Sequence, residues 1–166
     1  EYERGFGTAG ESFWIGLENL HALTSFPNNE QALRVELTIS TGRWRKIVVD
    51  YHEFHVGSAN EKYKLTIGDL NSSGDYDALS DQNGTEFSVR KFKPGTHDQG
   101  SCYGNTLSGG WWFKRCNYAN LNGRKLPMVF PEKPLGILWI IKGEMESPYY
   151  TYKKVEMKIR DADFGF

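Results

Sequence analysis

From Ala32 onward the chain alternates. Leu33, Val35, Leu37 and Ile39 share one parity, and Arg34, Glu36, Thr38 and Ser40 share the other. A period of two puts these sets on opposite faces of an extended segment, so a half-buried strand is predicted. Thr41-Gly42 reads as a turn, and residues 44–54 return through Ile47-Val48-Val49 and Tyr51, which gives a hairpin. Residues 63–67 are predicted as a third strand. Residues 136–141 and 154–159 regain strand patterning and are predicted to join the same sheet. Near the start, Phe13, Leu17 and Leu20 keep an approximately helical spacing. That predicts a short amphipathic helix over residues 12–23, capped by Ser12 and burying Trp14.

Two stretches lack a period. Residues 68–84 are acidic and rich in Gly, Ser and Asn, and read as an exposed connection. Asp75, Asp77 and Asp81 there read as a solvated acidic turn rather than a metal site. Residues 93–124 show almost no periodicity. Long irregular segments in compact domains usually carry function, so the binding surface is expected there. No internal repeat or low-complexity segment is found.

Composition narrows the class. The length of 166 residues suits one domain able to close its own core. Lys plus Arg number 20 against 21 Asp plus Glu, so no strong field favours nucleic acid or an anionic membrane. Aromatic residues make up 14% and glycines number 18, which suits short strands and tight turns better than a helical bundle. No stretch approaches ~20 consecutive apolar residues, so no membrane span is predicted. The opening Glu1-Tyr2-Glu3-Arg4 lacks an initiating Met and a basic-then-apolar leader, so the sequence reads as a processed or excised piece.

The chain has two cysteines, Cys102 and Cys116, both in Gly/Asn/Ser-rich sequence. They read as a disulfide closing a loop of about 15 residues, which stabilises by about 3 kcal/mol on the chain-entropy argument. The alternative, a zinc pair, lacks partner ligands. Asn71-Ser72-Ser73 and Asn83-Gly84-Thr85 are N-glycosylation sequons in turn-forming sequence. Disulfide and sequons together place the protein outside the cell, secreted. No catalytic constellation emerges. His52 and His55 flank Glu53, but a spacing of three along a strand puts them on opposite faces. No nucleophile elbow or phosphate-cradling glycine loop is present. His21 and His97 read as structural or solvated. Trp111 and Trp112 read as core packing ahead of a ligand platform. The protein is therefore expected not to be an enzyme.

Several separated blocks resemble one family. Tyr2-Glu3-Arg4-Gly5-Phe6-Gly7, residues 11–21 (ESFWIGLENLH), Gly109-Gly110-Trp111-Trp112-Phe113 and Cys116 are among them. Asn120-Leu121-Asn122-Gly123, Gly136-Ile137-Leu138-Trp139 and residues 153–160 (KKVEMKIR) follow in order. Their order and spacing resemble fibrinogen-like C-terminal globular domains over essentially the whole chain. The family's opening segment, with its own cysteine pair, is absent. The resemblance implies an α+β fold: a twisted, mostly antiparallel sheet with short flanking helices, plus a loop-rich, disulfide-closed lobe. One domain, 1–166, is expected, with 1–86 as the central sheet region, 87–134 as the irregular binding lobe and 135–166 as returning strands.

The family's sites carry over poorly. Relatives bind calcium through two aspartates that follow a Phe-Ser pair; after Phe87-Ser88 the matching positions hold Lys91 and Lys93, two cations that repel the ion. The calcium site is expected to be lost and no cofactor is expected. Lectin relatives bind acetylated sugars with a His after the second cysteine and a Tyr-Ala pair before the Gly of the penultimate strand. Those positions here are Asn117 and Lys133-Pro134, and Gly123 is followed by Arg124-Lys125 instead of Tyr. Relatives also hold a cis peptide before that cysteine, which here would be Arg115-Cys116. The resemblance implies a protein receptor or ligand bound through the lobe that contains Trp111, Trp112, Arg115, Asn117, Lys125, Lys133 and Pro134. Lys91, Lys93, Lys114, Arg115, Arg124 and Lys125 supply a basic rim that reads first as ordinary surface charge. An altered carbohydrate pocket is the alternative. Oligomerisation is expected through an upstream segment absent from this sequence.

Overall fold

The computed structural model describes residues 1–70, 76–91, 107–114, 116–123 and 136–164. The alternating segment becomes β3 (Gln31–Ile39), preceded by β1 (Phe6–Gly7), β2 (Phe13–Trp14) and the helix α1 (Leu17–Thr24). It is followed by β4 (Arg45–Val56) and β5 (Leu65–Leu70). The sheet closes with β10 (Tyr152–Asp161) in the order β10-β3-β4-β5, all antiparallel. The predicted hairpin forms, with Leu33 opposite Tyr51 and Leu37 opposite Ile47. Leu33, Val35, Leu37, Ile47, Val49 and Tyr51 are all buried, so the apolar parity does face the core.

The polar parity of β3 is not simply wet, because β3 lies between two long neighbours. Arg34 forms a two-point ion pair with Asp50, directly opposite on β4, at 2.8 and 3.0 Å. Glu36 is buried, and its carboxylate receives Lys46 from β4 at 2.7 Å and Lys158 from β10 at 3.0 Å. These diagonal cross-strand pairs are within reach of long side chains. Bonds to the two ammonium groups hold the Glu36 carboxyl below the usual range. The stability it contributes is therefore present above the ordinary glutamate value of about 4.3 and is lost as pH falls from there through the lower folded value. Urea midpoints measured from neutral to acid pH are expected to fall less steeply below about pH 4.3 in Glu36→Gln than in the wild type.

The first helix differs from expectation. Residues 13–14 are extended and pair with β1, leaving Phe13 exposed, and α1 starts at Leu17 behind Gly16 without a side-chain cap. Backbone carbonyls satisfy its first amides instead: Leu17 donates to Tyr2 O at 3.0 Å and Glu18 to Glu3 O at 3.1 Å. Gly16 has φ 102°, and a Cβ there would sit 2.7 Å from the Arg4 carbonyl carbon. Only glycine permits that crossing. Trp14 is buried as expected, its indole donating to Tyr2 O at 2.9 Å.

Two other expectations are corrected. The segment expected to be an exposed connection starts within β5, and its later part turns inward: Ala78, Leu79 and Gln82 are buried, with residues Ser80–Gln82 in a 3-10 turn. Asp77 is no solvated acid, since one carboxylate oxygen accepts the Tyr51 hydroxyl at 2.6 Å and the Leu79 and Ser80 amides at 3.0 and 3.1 Å. Burial, then the bond to Asp77, pushes the Tyr51 phenol far above its ordinary range. Residues 136–141 also do not join the central sheet. Their strand, β9 (Leu138–Trp139), pairs with β8 (Ala119–Asn120) in a separate two-stranded ladder.

Candidate functional site

The segment read as irregular holds an ordered base. β6 (Ser88–Arg90) pairs with β7 (Gly109–Trp111), with Val89 opposite Gly110. Gly110 lets the two backbones and the Tyr2 and Phe87 rings close in, since a Cβ would lie 2.7 Å from the Tyr2 ring and 2.8 Å from that of Phe87. Trp111 and Trp112 are fully buried and stack edge to face at 5.1 Å. Trp112 also meets Phe87 at 5.4 Å and Trp14 at 6.3 Å. Neither indole shows a face to solvent, and each N–H is used internally, on Gln82 Oε1 at 3.1 Å and Tyr63 O at 2.8 Å.

Gln82 is the centre of this base. Its amide donates to the carbonyls of Trp112 and Ala119 at 2.8 and 3.3 Å and approaches Asn117 Oδ1 at 3.4 Å. Asn117, 2% exposed, accepts the Lys114 amide at 2.7 Å and donates to the Lys114 carbonyl at 2.9 Å. The side chain that matches the sugar-binding His of lectin relatives is thus turned inward to brace the 114–117 loop. Cys116 in that loop is exposed and disulfide-bonded, and Cys102 lies outside the described residues. Nothing in the sequence marks Gln82 or this role for Asn117: both occur in polar runs whose members look alike until the tertiary contacts exist.

What faces outward on the lobe is mixed in character. Val89 on β6 is 62% exposed, Lys91 just after that strand is exposed, and Tyr118 just before β8 is 43% exposed. Arg90 lies over the Phe113 ring at 4.5 Å and donates to Lys114 O, and Lys114 in turn bridges to Asp81. Asn83, of the second sequon, is exposed, and its side-chain oxygen accepts the Ile67 amide at 3.0 Å. Lys93, Arg115, Arg124, Lys125, Lys133, Pro134 and Asn71 lie outside the described residues. Among the described residues no group of three or more His, Cys, Asp or Glu side chains comes together to hold a metal ion. No helix among them is long and apolar enough to cross a membrane.

A twisted antiparallel sheet that backs an aromatic, disulfide-bearing lobe defines a fibrinogen-like globe. Residues 1–162 match the family of fibrinogen beta and gamma chains, C-terminal globular domain, and the chain belongs to that family. It is 35% identical to Ryncolin-4 of Cerberus rynchops, over 96% of this chain and 44% of the relative. It is 34% identical to human Angiopoietin-related protein 7, over 99% and 45% respectively. The chain therefore spans less than half the length of either relative. Among solved structures, the fibrinogen-like globe domain of human ANGPTL2 superposes with a TM-score of 0.76 at 29% identity, over 98% of this chain and 71% of that one.

Proposed function

We propose that the protein is a secreted, non-enzymatic recognition module that binds a protein partner through the 87–134 lobe. The observation that carries this reading is the inward use of the lobe's polar and aromatic groups. Trp111, Trp112 and Asn117 serve the core, so the described surface offers Val89, Tyr118, Lys91 and Lys114 instead of an aromatic-floored sugar pocket. Apolar and cationic side chains interspersed on an ordered base suit a protein surface with acidic groups. Kinship with an angiopoietin-related protein supports the same reading. Lys91, exposed where relatives place an aspartate, supports a module that works without calcium.

Thermal unfolding with calcium or with N-acetylglucosamine tests the reading, because a ligand of the native state alone raises Tm. No shift with either is expected. Labelled protein is also expected to stain cells that carry a receptor, and Val89→Glu with Tyr118→Ala to abolish the staining without lowering Tm. A sugar-dependent shift would replace this reading with a rebuilt carbohydrate pocket, and a calcium shift would restore the metal.

A further inference from the structure

Helix α1 and strand β4 are joined by two histidines that cross over each other. His21, on the helix, places Nδ1 2.8 Å from the Val56 carbonyl oxygen on β4. His55, on β4, places Nδ1 2.8 Å from the Thr24 carbonyl oxygen at the end of the helix. A carbonyl oxygen only accepts, so both Nδ1 atoms carry the hydrogen. Ser25 Oγ, 3.0 Å from His21 Nδ1, donates its own hydrogen to the His21 carbonyl and is left to accept there as well. In the neutral rings both Nε2 atoms therefore keep their lone pairs. The rings stand 6.1 Å apart, centroid to centroid, at 65°, and both are half-buried. Thr24 Oγ1 accepts the Val56 amide at 3.0 Å, which fixes the two backbones at the same place.

We propose that His21 and His55 form a two-histidine site for a divalent transition-metal ion of the zinc class, bound through both Nε2 atoms and completed by water. Metal-ligating histidines commonly donate their other ring N–H to a backbone carbonyl, which fixes tautomer and ring orientation before the ion arrives. Both residues already have that partner. With Zn–N bonds of about 2.1 Å, two rings on one tetrahedral ion have centroids roughly 5 Å apart. The observed centroid distance of 6.1 Å is about 1 Å longer than that. The Glu61 carboxylate is held by the Ser58 amide and hydroxyl at 2.9 and 3.2 Å and brings a negative charge to the neighbourhood of His55. It favours a cation without ligating one. No third His, Cys, Asp or Glu joins the pair among the described residues, so the site clips α1 to β4 and is not a closed structural centre. His52, three residues before His55 on the same strand, takes no part in the pair by the strand's period of two and serves as a control.

The test uses the full chain, stripped with chelator, and zinc chloride as the probe. Tm is expected to rise and saturate with zinc in the wild type and in His52→Gln. His21→Gln or His55→Gln is expected to weaken the apparent affinity roughly tenfold or more. Should either variant fold poorly, long-range proton–nitrogen spectra of the wild-type imidazoles give a second readout. Zinc is expected to move the Nε2 resonances of His21 and His55 and leave the Nδ1 resonances near their protonated positions. Absence of any zinc-dependent shift in Tm or spectrum would overturn the proposal. So would a Tm rise that persists in the His21→Gln/His55→Gln double variant, or spectral shifts confined to His52 or His97.

Discussion

Replacing Trp112 with Ala is expected to lower the unfolding free energy by about 3–5 kcal/mol, the cost typical of deleting a buried indole. The side chain is fully enclosed and touches three aromatic partners, two of them from distant parts of the chain, Trp14 on β2 and Phe87 before β6, and the third its neighbour Trp111 on β7. Its removal leaves a void between the sheet and the lobe that rigid neighbours fill only in part. It also strands the Tyr63 carbonyl, which now accepts the indole N–H at 2.8 Å. Trp112→Phe keeps much of the ring volume but loses that bond, so a smaller loss is expected. Urea unfolding of both variants at constant m-value separates the two contributions. A loss below about 1 kcal/mol for Trp112→Ala would mean that this ring packs only loosely between sheet and lobe.

Gln82→Leu is expected to be nearly as damaging, although it replaces a polar side chain with an apolar one of similar size in a fully buried position. The substitution removes the acceptor of the Trp111 indole and the donor to the Trp112 and Ala119 carbonyls. Each buried group left without a partner costs about 1–3 kcal/mol, so a total loss of about 3 kcal/mol or more is expected. The two variants differ in where the loss appears. Trp112→Ala weakens the junction with the sheet, whereas Gln82→Leu frees Asn117 and the 114–117 loop it braces. Hydrogen exchange at the Lys114 amide, which is bonded to Asn117, is expected to accelerate in Gln82→Leu well before global unfolding. Equal protection in variant and wild type would show that the loop does not depend on Gln82.

Much of the central sheet was legible from alternation alone. The β3–β4 hairpin and its buried parity were readable because a period of two has one outcome once a face is committed to the core. Residues 63–67 and 154–159 were likewise recognisable as strands, with bounds shifted by a few residues. Burial of Trp14 was foreseen, but its setting was not. Helical spacing of Phe13, Leu17 and Leu20 is shared by an extended pair followed by a helix, and the Tyr2 and Glu3 carbonyls decide where the helix begins. Of the candidate site, the two tryptophans could be placed in the core from their neighbours. The function of Asn117 could not be read: the resemblance marked its position as a ligand contact, and the structure turns its side chain onto the loop.

By itself, the sequence determined the family, the central hairpin and the absence of a long apolar span. These follow from local periodicity and from residue blocks in a set order. Tertiary structure alone decided that Asp77 bonds Tyr51, that Gln82 sits among indoles and that β9 leaves the main sheet for β8. It also decided that His21 meets His55 across 34 positions of chain, 55 less 21. The reason is common to all four. A polar side chain or a short apolar strand carries no mark of its partner, and its place is set by which buried donors, acceptors and edges remain unsatisfied once the core has closed.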